Sequence, residues 1–437
     1  MVNEGTLMRL VRNPWGGGYM AFPISHVRSC FPSLEQTDNG QARIYVDNPA
    51  STQVPLAVAD AVRDYMLTNT ANAGGHFKTS LATDAVWLKA HQDAALFLGA
   101  SSFQEVIIGQ SMTSLTFHLS RSICRDFAPG DEIVISRMEH EGNVGGWLEI
   151  ARDKGLTVRW VDFNHETWQV EPEDLAAVLG PRTKLVALNY ASNMTGSIND
   201  IAALAKLAKH VGALVFVDAV QLAPHHLVDV HALGCDFLAC SSYKFFGPHL
   251  GLIWGRGDLL RTLHPYKGRC VSNDTPDRFE CGTPQYELLA GLSATVKYFE
   301  DLGGMKATST NRRDLITASY KMSRDYEEPL TNMLIDGLKQ IPNIKIYGIT
   351  NPNRIKQRVP TVSLRHTTMP PSDIAKALSK AGIFVWHGHN YAYEPTRSLG
   401  LPLDEGVVRI GLSHYNTKEE VEAIILEMEK TTRRANA

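Results

Sequence analysis

The sequence predicts an α/β fold: a large unit built on a mostly parallel, doubly covered sheet, followed by a small C-terminal α+β unit. Three observations predict it. Between about residues 100 and 256, seven short apolar runs recur: EVIIGQ, EIVISR, TVRWVDF, KLVALNY, ALVFVDAV, FLACSSY and GLIWGR. Amphipathic stretches such as DIAALAKLAKHVG, with apolar residues three and four apart, lie between them, and that alternation builds parallel strands joined by helical crossovers. A loop-rich interval with Pro265, Gly268, Pro276, Gly282 and Pro284 then breaks the pattern. Beyond it a long helical stretch leads to strands VPTVSLRH, GIFVWHG and GVVRIGLS and a final helix, KEEVEAIILEMEK.

In chain order, residues 1–30 read as an N-terminal segment draped over one of the units, because two Gly/Pro-rich interruptions leave no long periodic run. Residues 31–290 form the large unit and 291–437 the small one. A chain of 437 residues is long enough to bury a sizeable core without disulfides. With 43 basic and 46 acidic residues the net charge is −3, so neither nucleic acid nor an anionic membrane is an expected partner. Six cysteines at 30, 124, 235, 240, 270 and 281 show no CxxC pair, and no apolar run approaches a membrane span. These features predict a cytoplasmic protein with reduced thiols and a small-molecule partner. No metal is expected: HGH at 387–389 and HH at 225–226 lack helical ligand spacing and a companion cluster. WGGGY near the start lacks a preceding strand, so it is not a dinucleotide fingerprint.

Ligands in open α/β sheets bind at the carboxyl ends of strands. Two chemically loaded residues fall there: Asp218 ends ALVFVD, and Lys244 follows the next apolar run in SSYKFFGPHLG. A lysine and a carboxylate on adjoining strand ends suit pyridoxal phosphate, whose aldehyde takes a lysine amine and whose ring nitrogen needs an acid to stay protonated. A surface lysine and a helix-capping aspartate are the plainer alternatives.

The motifs in order carry a resemblance. From IYVDNPASTQVP at 44–55 to RIGLSHYNT at 409–417 the chain resembles the class V aminotransferase group of fold-type I pyridoxal phosphate enzymes, and within it the cysteine desulfurase-like proteins. The resemblance implies that Lys244 carries the cofactor as a Schiff base and shuttles the substrate's α-proton, and that Asp218 pairs with the pyridine nitrogen. It implies that His140, in MEHEGN, stacks on the ring, and that Asn193 and Gln221 donate to its phenolic oxygen. A turn role is equally open to Asn193. The phosphate falls to Met112 N–H and the Thr113 hydroxyl in GQSMTS, with Ser241 beside the lysine; helix capping by Ser111 or Thr113 is compatible with this. At Tyr243 many desulfurases carry histidine. Gly282 and Thr283, in RFECGTP, correspond to a loop reaching a neighbouring subunit's phosphate, which implies a homodimer with shared active sites. Arg409 matches the residue that grips the α-carboxylate of an amino-acid substrate, unless it merely pairs with a surface acid.

One departure matters. Where the desulfurases carry a nucleophilic cysteine, this chain reads VWHGHNYAYE, with Tyr391 at about that place, and no cysteine follows Cys281. A phenol does not replace a thiolate, so a persulfide cannot form there. His389 and Tyr391 are then candidates for contacting the substrate, with His387 and Trp386 beside them. Carbon–sulfur cleavage without the persulfide cysteine is the expected reaction. Epimerisation, transamination and decarboxylation are the enzymatic alternatives, and a catalytically inactive binding protein is a further one.

Overall fold

The computed structural model describes residues 22–434. The WGGGY run and most of the N-terminal segment lie outside them. The described chain opens with α1 (Ile24–Ser29), a small hairpin of β1 (Thr37–Asp38) and β2 (Gln41–Ala42), then β3 (Ile44–Tyr45), α2 (Leu56–Thr68) and α3 (Lys78–Leu98). The large unit follows as β4 (Val106–Gly109), α4 (Met112–Ile123), β5 (Glu132–Ser136), α5 (Gly145–Lys154), β6 (Thr157–Val161), α6 (Pro172–Val178), β7 (Thr183–Asn189), α7 (Ile201–His210), β8 (Leu214–Asp218), α8 (Val230–Leu233), β9 (Phe237–Ser241), β10 (Gly251–Gly255) and α9 (Gly257–Thr262). Two long helices, α10 (Tyr286–Gly304) and α11 (Arg312–Lys339), lead to β11 (Ile344–Tyr347), β12 (Thr361–His366), α12 (Pro371–Lys380), β13 (Ile383–Phe384), β14 (Trp386–Gly388), α13 (Tyr393–Ser398), β15 (Val407–Gly411) and α14 (Lys418–Arg434).

Each of the seven expected apolar runs is a strand of one sheet, in the order β4-β10-β9-β8-β7-β5-β6. Only β10 runs against its neighbours. Side chains alternate between the faces: Val134, Val186, Val215 and Leu238 join one core, while Ile133, Leu185, Phe216 and Phe237 join the other. Continuous apolar strands are therefore needed, because both faces are covered. Helices α3, α7, α10 and α11 cover the first face and α4 and α5 the second. Full burial of a side chain such as Phe216 contributes roughly 1.5–3 kcal/mol.

The small sheet has the order β11-β12-β15-β14. GIFVWHG, expected as one strand, is two. β13 leaves this sheet to pair in parallel with β3, and β14 pairs with β15. Beyond β3, Val46 N–H donates to Phe384, and Gly411 N–H donates to Val46 (2.7 Å). The early segment 44–47 is thus stitched to strands that come more than 330 residues later. The long helix α10 packs on α2, α3 and α11.

Candidate active site

The residues expected at the site are placed by strand ends. Lys244 lies just beyond β9, Asp218 ends β8, His140 follows β5, Asn193 follows β7, and Met112 and Thr113 begin the helix after β4. Together with Gln221, Ser241 and Tyr243 they line one cavity. Parallel strands point their carboxyl ends the same way, so residues distant in sequence converge there.

Lys244 is buried, and its Nζ donates to the carbonyls of Pro49 (2.6 Å) and Ala50 (2.7 Å). Burial brings its pKa down to about 7, aided by the Arg409 charge and opposed by Asp47 and Asp218. Asp218 is also buried, and burial pushes its carboxyl up to about 6 although Val220 N–H donates to its Oδ1 (2.8 Å). A buried carboxylate with so little neutralisation suits a cationic partner in the cavity. Glu139, behind it, is raised well above the usual range by burial, and its oxygens accept from Asn143 Nδ2 and Asn189 N–H. His140 is driven down to about 3 by burial and the charges of Lys244 and Arg409, so its ring is neutral. Gly142 N–H donates to its Nδ1 (2.9 Å), which leaves the ring proton on Nε2.

At the opposite end, Ser111 caps α4 by accepting from Ser114 N–H (3.1 Å). The first amides of this helix, including Met112 N–H, lie at the cavity wall, where an anion is stabilised. The start of α4 is pressed onto β10: a Cβ at Gly251 would lie 2.1 Å from Met112 N. Only glycine permits that approach.

Arg409 of β15 is buried behind Asn193, donating to its carbonyl and to Asp47 Oδ1 (3.2 Å each), while its Nε has no partner. Asn193 Nδ2 donates to the Asn390 carbonyl (2.7 Å), and its Oδ1 is buried without a partner. Gln221 Nε2 donates to the Pro49 carbonyl (2.7 Å), so both amides are engaged with backbone. Tyr243 stacks flat on His249, with ring centroids 4.6 Å apart. The set fits a flat aromatic cation with an anionic tail: acid at one end, free helix amides at the other, and a low-pKa amine between them.

Gly282 and Thr283 are elsewhere. They line a second cavity with His118 and Cys281, across the first turn of α4 from Lys244. His389 and Tyr391 stand at the mouth: Tyr391 N–H donates to His389 Nδ1 (3.0 Å), Glu141 N–H donates to the Tyr391 carbonyl (2.8 Å), and the Tyr391 ring is 5.7 Å from that of His140. Of the two adjacent-histidine runs, His225 is buried against Glu327 (3.0 Å).

Sequence reasoning did not single out Asp47, Pro49 and Ala50, which hold Arg409 and Lys244. Two of these act through backbone carbonyls and carry no side-chain signal; the DNPA run between a strand and a helix was the available hint. It also passed over Glu394, a buried acid paired with Arg137 and Arg397 that anchors the mouth loop to the end of β5.

The sequence matches the profile of the Aminotransferase class-V family over residues 44–424. It is 34% identical over 423 residues to the aminotransferase-like protein FGM3 of Gibberella zeae, spanning 94% of this chain and 98% of that one. It is 32% identical over 429 residues to a cysteine desulfurase of Dickeya dadantii, spanning 94% and 97%. The solved apo structure of a cysteine desulfurase from Thermococcus onnurineus NA1 superposes with a TM-score of 0.83 at 27% identity, covering 95% of this chain and 99% of that one. Agreement along nearly the whole sequence, and in the path of the backbone, makes this chain a member of the class V aminotransferase family, a cysteine desulfurase-like enzyme within a group that depends on pyridoxal phosphate.

Proposed function

We propose that this enzyme binds pyridoxal phosphate at Lys244 and cleaves the carbon–sulfur bond of a cysteine-derived amino acid without a persulfide cysteine. One observation carries the reading: a buried amine with a pKa of about 7 shares a cavity with a buried carboxyl, beneath a loop that bears Tyr391 where a thiol would be needed. The cofactor, when bound, supplies an aldehyde and an electron-withdrawing ring that acidifies the substrate's α-carbon. Lys244, partly unprotonated near neutral pH, accepts the α-proton. Asp218 holds a proton at the ring nitrogen, neutral His140 packs on the ring face, and Met112 N–H with the Thr113 hydroxyl binds the phosphate. Asn193, Gln221, Ser241 and Tyr243 complete the pocket around the ring and phosphate. Arg409 takes the substrate carboxylate in exchange for Asp47. A sulfur leaving from the β-carbon needs a proton donor, not an attacking thiol; His389 and Tyr391 at the mouth are the groups positioned for that.

Gly282 and Thr283 line a cavity separate from that of Lys244, which supports assigning them to the phosphate of a second copy in a homodimer with shared sites. Unpaired cysteines support a cytoplasmic setting, and no helix among the described residues is long and apolar enough to cross a membrane.

The test is borohydride reduction, digestion and mass spectrometry, with pyruvate and thiol measured from S-substituted cysteines. A pyridoxyl adduct on Lys244 with pyruvate release is expected. An adduct elsewhere, or none, overturns the cofactor assignment. An adduct on Lys244 with solvent deuterium entering the α-carbon, or with amino-group transfer, and no pyruvate replaces cleavage by epimerisation or transamination.

A further inference from the structure

We infer that Trp386, His389, Tyr391 and Tyr393 form the subsite for the substrate's side chain, and that it selects a broad aromatic substituent on sulfur over the small thiol of cysteine. The inference deepens the proposed function and rests on it for the grip of Arg409 on the substrate carboxylate and for the identity of the bond that breaks.

The argument starts from strand register. Trp386 of β14 is paired directly with Arg409 of β15, and Arg409 with Ser363 of β12. Directly opposed residues in an antiparallel ladder project to the same side of the sheet. Ser363 Oγ donates to the Met194 carbonyl and Arg409 to that of Asn193, so this side faces the large unit and the wall of the cavity. Trp386 is the outer member of the row, one strand and about 5 Å from the backbone of the carboxylate-gripping arginine. An amino acid held by Arg409 therefore has an indole beside it.

That indole is not packed away. Trp386 is 55% exposed, Tyr391 67% and Tyr393 40%. Single exposed rings are ordinary, but several around the mouth of a site need an occupant. The His389 ring lies 6.0 Å from Tyr391 and 6.3 Å from Tyr393, and Tyr391 is 5.7 Å from His140, which lines the cavity. The rings of His140, Tyr391, His389 and Tyr393 thus follow one another from the cavity wall to solvent, and strand register places Trp386 beside Arg409.

The loop is also fixed in its conformation. Asn390 and Tyr391 both adopt left-handed backbone, φ 55° and 56°, a conformation that non-glycine residues keep only when their surroundings impose it. Here Asn193 Nδ2 holds the Asn390 carbonyl, Asn390 Nδ2 holds the Gly388 carbonyl (2.8 Å), Glu141 N–H holds the Tyr391 carbonyl, and buried Glu394 is tied to Arg137. A preset aromatic wall favours a ligand that covers it, because little ordering remains to be done on binding. A free cysteine thiol presents no apolar area to these rings, whereas an S-benzyl group covers them and removes apolar surface from water.

Calorimetry on the holoenzyme with α-methyl-S-benzylcysteine and α-methyl-S-methylcysteine tests this, since neither analogue has an α-proton to lose. The benzyl compound is expected to bind about tenfold tighter or more. Trp386→Ala should shrink the ratio to about threefold or less, and Trp386→Phe should restore most of it. Equal affinities, or a ratio unchanged in both Trp386→Ala and Tyr393→Ala, overturn the inference. Pyruvate release from S-benzylcysteine and S-methylcysteine is read separately. An aryl preference in binding with no pyruvate from either removes the cleavage reading and leaves the subsite standing; pyruvate from both at equal kcat/KM, with equal binding, removes the subsite and leaves cleavage standing.

Discussion

The floor of the cavity and its mouth are built on opposite terms. The floor is made of strand ends in a doubly covered sheet, so Lys244 and Asp218 are buried and His140 is half-buried, and desolvation is the largest cause of the pKa change in each. The mouth is a short loop leaving the edge strand of a smaller sheet, with rings in solvent and backbone in left-handed conformation. Reactivity needs desolvation and fixed charge, which a sheet interior supplies; selectivity needs adjustable surface, which a loop supplies. The difference teaches where substitutions act: on the floor they change whether chemistry occurs, at the mouth they change on what.

The comparison breaks or sharpens under four measurements. Lys244→Ala should lower turnover by about 10⁴-fold or more and abolish the covalent cofactor link, read by kinetics and by mass after borohydride. Retained turnover would mean the floor is not where the chemistry lies. Asp218→Asn should cost about 100-fold in turnover yet raise the melting temperature of cofactor-free protein at pH 8. The sign follows from a folded pKa of about 6 against 3.8 unfolded: the folded state is penalised above pH 6, by about 3 kcal/mol at most. The gap between variant and parent should close as pH falls from 6 to 4. A gap constant with pH would show that the carboxyl is not buried as described. Arg409→Lys should raise KM about tenfold with a smaller change in kcat, since an ammonium cannot grip a carboxylate through two parallel hydrogen bonds. Tyr391→Phe, which leaves His389 as the remaining proton donor at the mouth, should lower kcat by about tenfold and leave the bound cofactor's absorption spectrum intact. Loss of the cofactor in that variant would place the loop on the floor and erase the distinction.

The same contrast governs what the sequence made legible. The seven strands of the large sheet are readable because burial on both faces demands uninterrupted apolar runs, and such runs stand out between amphipathic helices. Lys244 and Asp218 are readable because charge at the end of an apolar strand is costly without a purpose. The small sheet is less so. Nothing in GIFVWHG marks the change of partner at Val385, because pairing with β3 depends on residues more than 330 positions earlier. Pro49 and Ala50 act through carbonyls that every residue possesses. Asn193 and Gln221 each spend one amide N–H on a backbone carbonyl, of Asn390 and Pro49, and keep a second for another acceptor; sequence names a donor without saying where it is aimed. Residues Gly282 and Thr283 fall beyond the reach of the Lys244 cavity in a single copy.

The stitch between the early chain and β15 has a mechanical consequence. Asp47 is bridged to Gly411 and bonded to Arg409, while Pro49 and Ala50, two and three positions later, clasp the amine of Lys244. Both grips are knots on one short cord. The segment 47–50 therefore fixes the spacing between the Arg409 guanidinium of one unit and the Lys244 amine of the other.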